Sequence, residues 1–169
     1  VAACAIGTTA VAQESSNRVA ANTDWSVFTE TNPKECWAVS APKETVNTRD
    51  GQTVTVRRGE ILLMVFYRPG ASVKGQVAFT GGYPFASGST AGMDISGTKF
   101  ELFTEGEWAW PATPEDDAKI VAALERGAGA TLAAPAVRRA PTRDRFGPRG
   151  LPASDGGASR PRPRSACGA

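Results

Sequence analysis

Apolar and polar residues alternate over much of the stretch 24–110, the period of a strand with one face against a core. Trp25 and Val27 have polar neighbours, and Val54 and Val56 stand out in the same way among Thr53, Thr55 and Arg57. Residues 61–67 break the alternation: Ile61, Leu62, Leu63, Met64, Val65, Phe66 and Tyr67 run without a polar residue, bounded by Gly59 and by Pro69-Gly70. Such a run predicts a central strand buried on both faces. Residues 73–79 and 99–103 continue the β pattern, and Asp50-Gly51, Gly81-Gly82 and Ser96-Gly97 mark turns. Short strands at this spacing predict a mainly β chain, an antiparallel β-sandwich or a partly closed barrel.

One segment has a helical signature. Thr113 is a good N-cap with Pro114 at the first helical position, and Glu115, Asp116 and Asp117 lie at the positive end of the helix dipole. Gly127 after Arg126 marks the stop, and Ile120, Val121 and Leu124 form an apolar side suited to covering an edge or end of the sheet.

The ends of the chain read differently. Residues 1–12 are small and apolar and end in Ala10-Val11-Ala12 before the polar run from Gln13, the form of a signal-peptide remnant cleaved between Ala12 and Gln13. The same run also admits a buried N-terminal strand, or a lipobox with Cys4 as the lipidated residue. From Pro135 onward Arg, Pro, Gly, Ala and Ser dominate, and a mobile stretch is expected because little apolar surface offsets the ordering entropy. The expected organisation is therefore a remnant at 1–12, one β-rich domain at 13–146 and an Arg/Pro/Gly-rich tail at 147–169. The charge follows this division: residues 1–134 carry 11 Lys/Arg against 15 Asp/Glu, whereas residues 135–169 carry 8 Arg against two Asp. A basic tail of this kind suits weak contact with an anionic surface; nucleic acid is not expected as a partner, since aromatic residues do not interleave with the arginines. No run approaches the length of a membrane-spanning helix.

Ordered short motifs carry a family resemblance. Asp24-Trp25, Cys36-Trp37 followed by Pro42, residues 59–62 (Gly-Glu-Ile-Leu), residues 82–89 (Gly-Tyr-Pro-Phe-Ala-Ser-Gly-Ser), Phe100-Glu101-Leu102-Phe103, Trp108-Ala109-Trp110 and Asp117-Ala118 occur in sequence. Over residues 14–130 the chain resembles the invasion-associated locus B family of exported α-proteobacterial proteins. Thr142, Asp144, Phe146, Gly150 and Cys167 fall where such proteins carry a Thr-x-Asp-x-Phe run, a glycine and a late cysteine, while Arg139 and Pro148 depart from the pattern. The resemblance implies a β-rich protein of the periplasm or cell surface without known catalytic chemistry.

Candidate chemistry is sparse. The sequence has no histidine, which excludes Ser-His-Asp and Cys-His constellations and histidine-ligated metal sites. No catalytic residue, metal or cofactor is expected. Tyr83 and Phe85, on either side of Pro84, and Trp108 and Trp110 are the binding candidates, as aromatics that would meet a protein or glycan partner in the envelope or on a host surface. The alternative from another class is a glycan-directed hydrolase using Glu105 and Glu107; a third is an envelope stress protein without specific ligand. If the segment with Cys4 is removed, Cys36 and Cys167 remain, and an even count in an exported chain favours a disulfide between them.

Overall fold

The computed structural model describes residues 17–135, 141–149 and 151. Among these residues twelve strands are formed: β1 (Arg18–Asn22), β2 (Trp25–Thr31), β3 (Lys34–Ser40), β4 (Pro42–Arg49), β5 (Gln52–Thr53), β6 (Leu62–Arg68), β7 (Val73–Thr80), β8 (Thr90–Ile95), β9 (Thr98–Glu105), β10 (Trp108–Pro111), β11 (Ala130–Ala134) and β12 (Thr142–Phe146). The helix α1 (Pro114–Glu125) lies between β10 and β11. All pairings are antiparallel, in the order β1-β2-β3-β6-β7-β10-β9-β8-β11-β12-β4-β5, and the sheet does not close into a barrel. No described helix is long and apolar enough to cross a membrane.

Strands β3 and β4 are consecutive in the chain, joined through Ala41, yet occupy opposite parts of the sheet. The sheet must therefore bend over on itself, and the side chains of its two halves meet inside. Phe79 of β7 and Phe146 of β12 touch edge to face with ring centres 6.2 Å apart. Trp25, Val27, Leu63 and Val65 join Met93, Ile95, Leu102 and Leu132 in the same buried cluster. Asp24, in the β1–β2 turn, fastens the two margins: its amide donates to the Arg149 carbonyl, and its carboxylate accepts from the Arg149 amide and pairs with Lys43 at 2.7 Å. A Cβ on Gly147 would collide with that carboxylate, so the close approach needs glycine there.

Alternation explains most of the strands. In β6, Leu63, Val65 and Tyr67 are buried, whereas Leu62, Met64 and Phe66 are only half-buried. The expectation of burial on both faces is thus corrected: the outer positions meet lateral neighbours such as Trp37, directly opposite Phe66, and remain partly exposed among the described residues. The Asp50-Gly51 and Ser96-Gly97 turns place both central residues at positive φ, the geometry that matches the twist of a tight hairpin. Val54 and Val56 do not continue a strand: β5 ends at Thr53, and residues 54–61 cross without regular structure, carrying Arg58 into the interior.

Helix α1 starts and stops where its sequence signals stand. The Thr113 hydroxyl accepts from the Asp116 amide; at the other end the Gly127 and Ala128 amides return to the Leu124 and Ala123 carbonyls, a Schellman closure. Its packing answers a gap in the sheet. Strand β10 pairs with β7 only at Phe79 and Thr80, and the free Val77 amide upstream donates to the Asp117 carboxylate at 2.8 Å. Burial pushes the Asp117 carboxyl above its ordinary range, against the lowering effect of that amide.

Within the Arg- and Pro-rich stretch after residue 134, the described residues include a strand. Residues 142–146 form an interior strand between β11 and β4, with Thr142, Asp144 and Phe146 buried and Arg143 and Arg145 exposed. Gly147 is buried as well, and Leu151 belongs to the core. The expected cleavage between Ala12 and Gln13 and the partner Cys167 of the expected Cys36 pairing lie outside the described residues, as do residues 1–16, 136–140, 150 and 152–169.

Candidate functional site

The expected aromatic loop lies inside the protein. Gly59 donates its amide to the Gly82 carbonyl at 2.8 Å, and Gly82 has φ +70 with its Cα against Gly59, so a Cβ there would come within 2.6 Å of the Gly59 oxygen. This contact draws residues 81–85 inward. Tyr83 shares a 2.7 Å hydrogen bond with the Thr142 hydroxyl, and Phe85 packs edge to face on Tyr83. The reading of Tyr83 and Phe85 as an exposed binding pair is corrected accordingly: both are buried, and Pro84 between them is exposed.

The same region holds a buried charge pair that the sequence reading missed. The Arg58 guanidinium meets both oxygens of Asp144, at 2.8 and 2.5 Å, donates through Nε to the Gly81 carbonyl at 2.9 Å, and lies over the Tyr83 ring. The Arg58 side chain is 3% exposed and that of Asp144 is 0% exposed. With its charge matched and most donors used, the pair serves to join the crossing segment 54–61 to β12 and to the 81–85 loop. Its polar groups face one another.

Solvent-facing chemistry is on the outer side of the sheet. Leu102 and Ala109 point inward from β9 and β10, so their neighbours Phe103, Trp108 and Trp110 point outward. Phe103 stands directly opposite Trp110, and Trp108 opposite Glu105. Cβ atoms of such opposed pairs are about 4.5–5.5 Å apart, close enough for the two rings to form one apolar surface. Phe103 is 54% exposed and Trp108 37%, and with Val19 they are the exposed large hydrophobics among the described residues. Three exposed carboxylates frame this surface: Glu101, which accepts from the Thr90 hydroxyl at 2.8 Å, and Glu105 and Glu107, on either side of the Gly106 turn. The structure thus brings Trp108 and Trp110 together with Phe103, a residue the candidate set lacked. Its signal was present, since Phe103 is the second apolar residue in a row after Leu102 and one of the two had to face outward.

Farther along the same outer face, β4, β12 and β11 form a groove of about 530 Å³ bordered by Glu44, Thr48, Thr131, Ala133, Arg143 and Arg145. Arg145 pairs with Glu44 at 3.0 Å. Neither Glu105 nor Glu107 borders this groove. Perturbed ionisation occurs elsewhere: the Lys43 ammonium, then the Arg149 amide, hold Asp24 below the usual carboxylate range, and burial followed by the Glu125 charge raises the Tyr67 hydroxyl. Neither residue is among those forming the aromatic surface or the groove. No family model, curated protein or solved structure matches the chain.

Proposed function

We propose that the chain is a non-catalytic binding module of the bacterial envelope that holds a glycan on the Phe103–Trp108–Trp110 surface. The observation that carries the reading is the placement of these three aromatics on one outer face, with Phe103 and Trp110 directly opposed and three carboxylates around them. Aromatic faces take the C–H side of a sugar ring, while carboxylates accept its hydroxyl hydrogens. A protein partner fits less well, because the cores of protein interfaces are depleted of charged residues, whereas Glu101, Glu105 and Glu107 crowd this patch. Export to the periplasm or cell surface is part of the proposal and is supported by the Ala10-Val11-Ala12 pattern and by the resemblance to invasion-associated locus B proteins. A disulfide between Cys36 and Cys167 would accord with that compartment.

The test is a printed glycan array probed with the wild type and with Phe103→Ala and Trp108→Ala. Binding to a defined set of glycans, lost in both variants while the circular dichroism spectrum is unchanged, is the expected result. Wild-type binding that survives both substitutions, or none at all, would exclude the reading.

A further inference from the structure

Cross-strand register connects the aromatic surface to the arginine groove. Glu101 of β9 is opposite Gly92 of β8, Gly92 opposite Ala133 of β11, Ala133 opposite Arg143 of β12, and Arg143 opposite Val46 of β4. One row of outward positions therefore leads from the residue beside Phe103 to Arg143 across three strand spacings, about 14 Å. The groove of about 530 Å³ occupies the far end of this row.

Its charges are arranged unequally. Arg145 is occupied by Glu44, whereas the Arg143 guanidinium is exposed and makes no hydrogen bond or ion pair among the described residues. The Asp144 carboxylate between them in sequence points inward and is matched by Arg58, so it does not neutralise Arg143 from below. At the other end of the row three exposed carboxylates, Glu101, Glu105 and Glu107, outnumber one exposed cation, Lys99, two residues before Glu101 on β9. Asp94, on β8 beside this path, is turned toward the Gly97 amide, and Lys99 stands opposite it. Thr48 and Thr131 add hydroxyls, and Val46 and Ala133 a small apolar floor, to the cationic end.

We infer that the groove is a second subsite for the same ligand and selects an acidic saccharide unit, a sugar bearing a carboxylate, sulfate or phosphate, held by Arg143. This rests on the glycan reading of the aromatic surface and extends it: the neutral rings of the ligand lie on Phe103 and Trp110, where negative charge is repelled, and its anionic group lies at Arg143. The ligand is thus a glycan of mixed character, a few units long, oriented by charge. The low passage between the subsites is the exposed Gly92, where an added Cβ meets only the Ala133 carbonyl at 3.9 Å and φ is not positive. A larger residue fits there without backbone strain and obstructs the path.

The experiment uses the full chain on an array that holds neutral glycans and their uronate-, sialate-, sulfate- and phosphate-bearing counterparts. The wild type is expected to favour acidic members by about tenfold, as for a single charge-assisted contact. Arg143→Gln should remove that preference while leaving neutral binding intact, Gly92→Leu should weaken acidic ligands selectively, and rising salt should reduce the preference in the wild type alone. Equal binding of neutral and acidic members by the wild type, or a preference unaffected by Arg143→Gln, overturns the second subsite and leaves the aromatic reading standing. Failure to bind any glycan overturns both.

Discussion

On the inner side of β12, Thr142 and Asp144 are held by Tyr83 and Arg58 in an environment from which water is excluded; on its outer side, Arg143 and Arg145 stand in solvent beside a groove. Five consecutive residues thus contain polar groups of two kinds. The inner ones are costly to disturb because a buried charge without its partner keeps its desolvation penalty. The outer ones are screened and hydrated, so their removal costs the fold little and leaves their charge available to a ligand. The contrast separates what builds this molecule from what it can use.

The comparison is broken most forcefully at Asp144. Asp144→Ala leaves the Arg58 guanidinium enclosed and unpaired, and a loss of about 3–5 kcal/mol is expected in urea unfolding. Replacing both partners, Arg58→Met with Asp144→Leu, should recover much of that loss, since no charge then remains buried. A single variant that unfolds at the wild-type midpoint would show that the pair is hydrated and that the two sides of β12 do not differ as described. Next in size is Tyr83→Phe, which removes a buried hydroxyl from Thr142 while keeping the ring under Arg58; about 1–2 kcal/mol should be lost, read as a lower urea midpoint with unchanged slope.

A smaller effect, confined to acid, belongs to the clamp between the sheet margins. Because Asp24 ionises below the ordinary carboxylate range in the folded protein, its contribution is complete above the unfolded value near ~4 and is lost as pH falls through the lowered folded value. Asp24→Asn should therefore flatten the acid limb of stability against pH and leave the neutral-to-alkaline slope unchanged. An identical acid limb in the variant would mean that the Lys43 and Arg149 contacts do not hold the charge.

What could be read from sequence follows the same division. Helix α1 was legible to the residue because its cap, its proline and its terminal glycine are local signals, and β6 because its apolar run is. Strand β12 was harder: Thr142-Arg143-Asp144-Arg145-Phe146 does alternate, but its inward positions include a carboxylate, and the surrounding Arg and Pro make the segment look like unburied tail. Arg58 gave no sign at all. It follows Arg57 in a polar stretch, and only the fold, by bringing residue 144 beside it, makes one of the two arginines interior. Tyr83 and Phe85 misled for a related reason, since Gly, Pro and aromatics describe an exposed loop and an inward-folded one equally well. Trp108 and Trp110 were found by residue type, yet their use as a surface depends on Phe103, which register alone places opposite Trp110.

The smallest expected effect is also the one that sharpens the contrast most. Arg143→Gln with Arg145→Gln removes two positive charges from β12 only one residue away from Asp144 on either side, and breaks the Arg145–Glu44 pair, whose side chains are both more than half exposed. Exposed pairs of this kind contribute about 0–1 kcal/mol, and the glutamines retain the aliphatic stem and a polar end. The double variant should unfold within about 0.5 kcal/mol of the wild type, and the difference should shrink further in concentrated salt. Glutamine at both positions still satisfies strand alternation, so the inward set Thr142, Asp144 and Phe146 keeps its register. A loss comparable to that of Asp144→Ala, persisting in salt, would show that the outer arginines help to position the inner carboxylate. In that case the outer face of β12 belongs to the scaffold, and its charge is not free for a ligand.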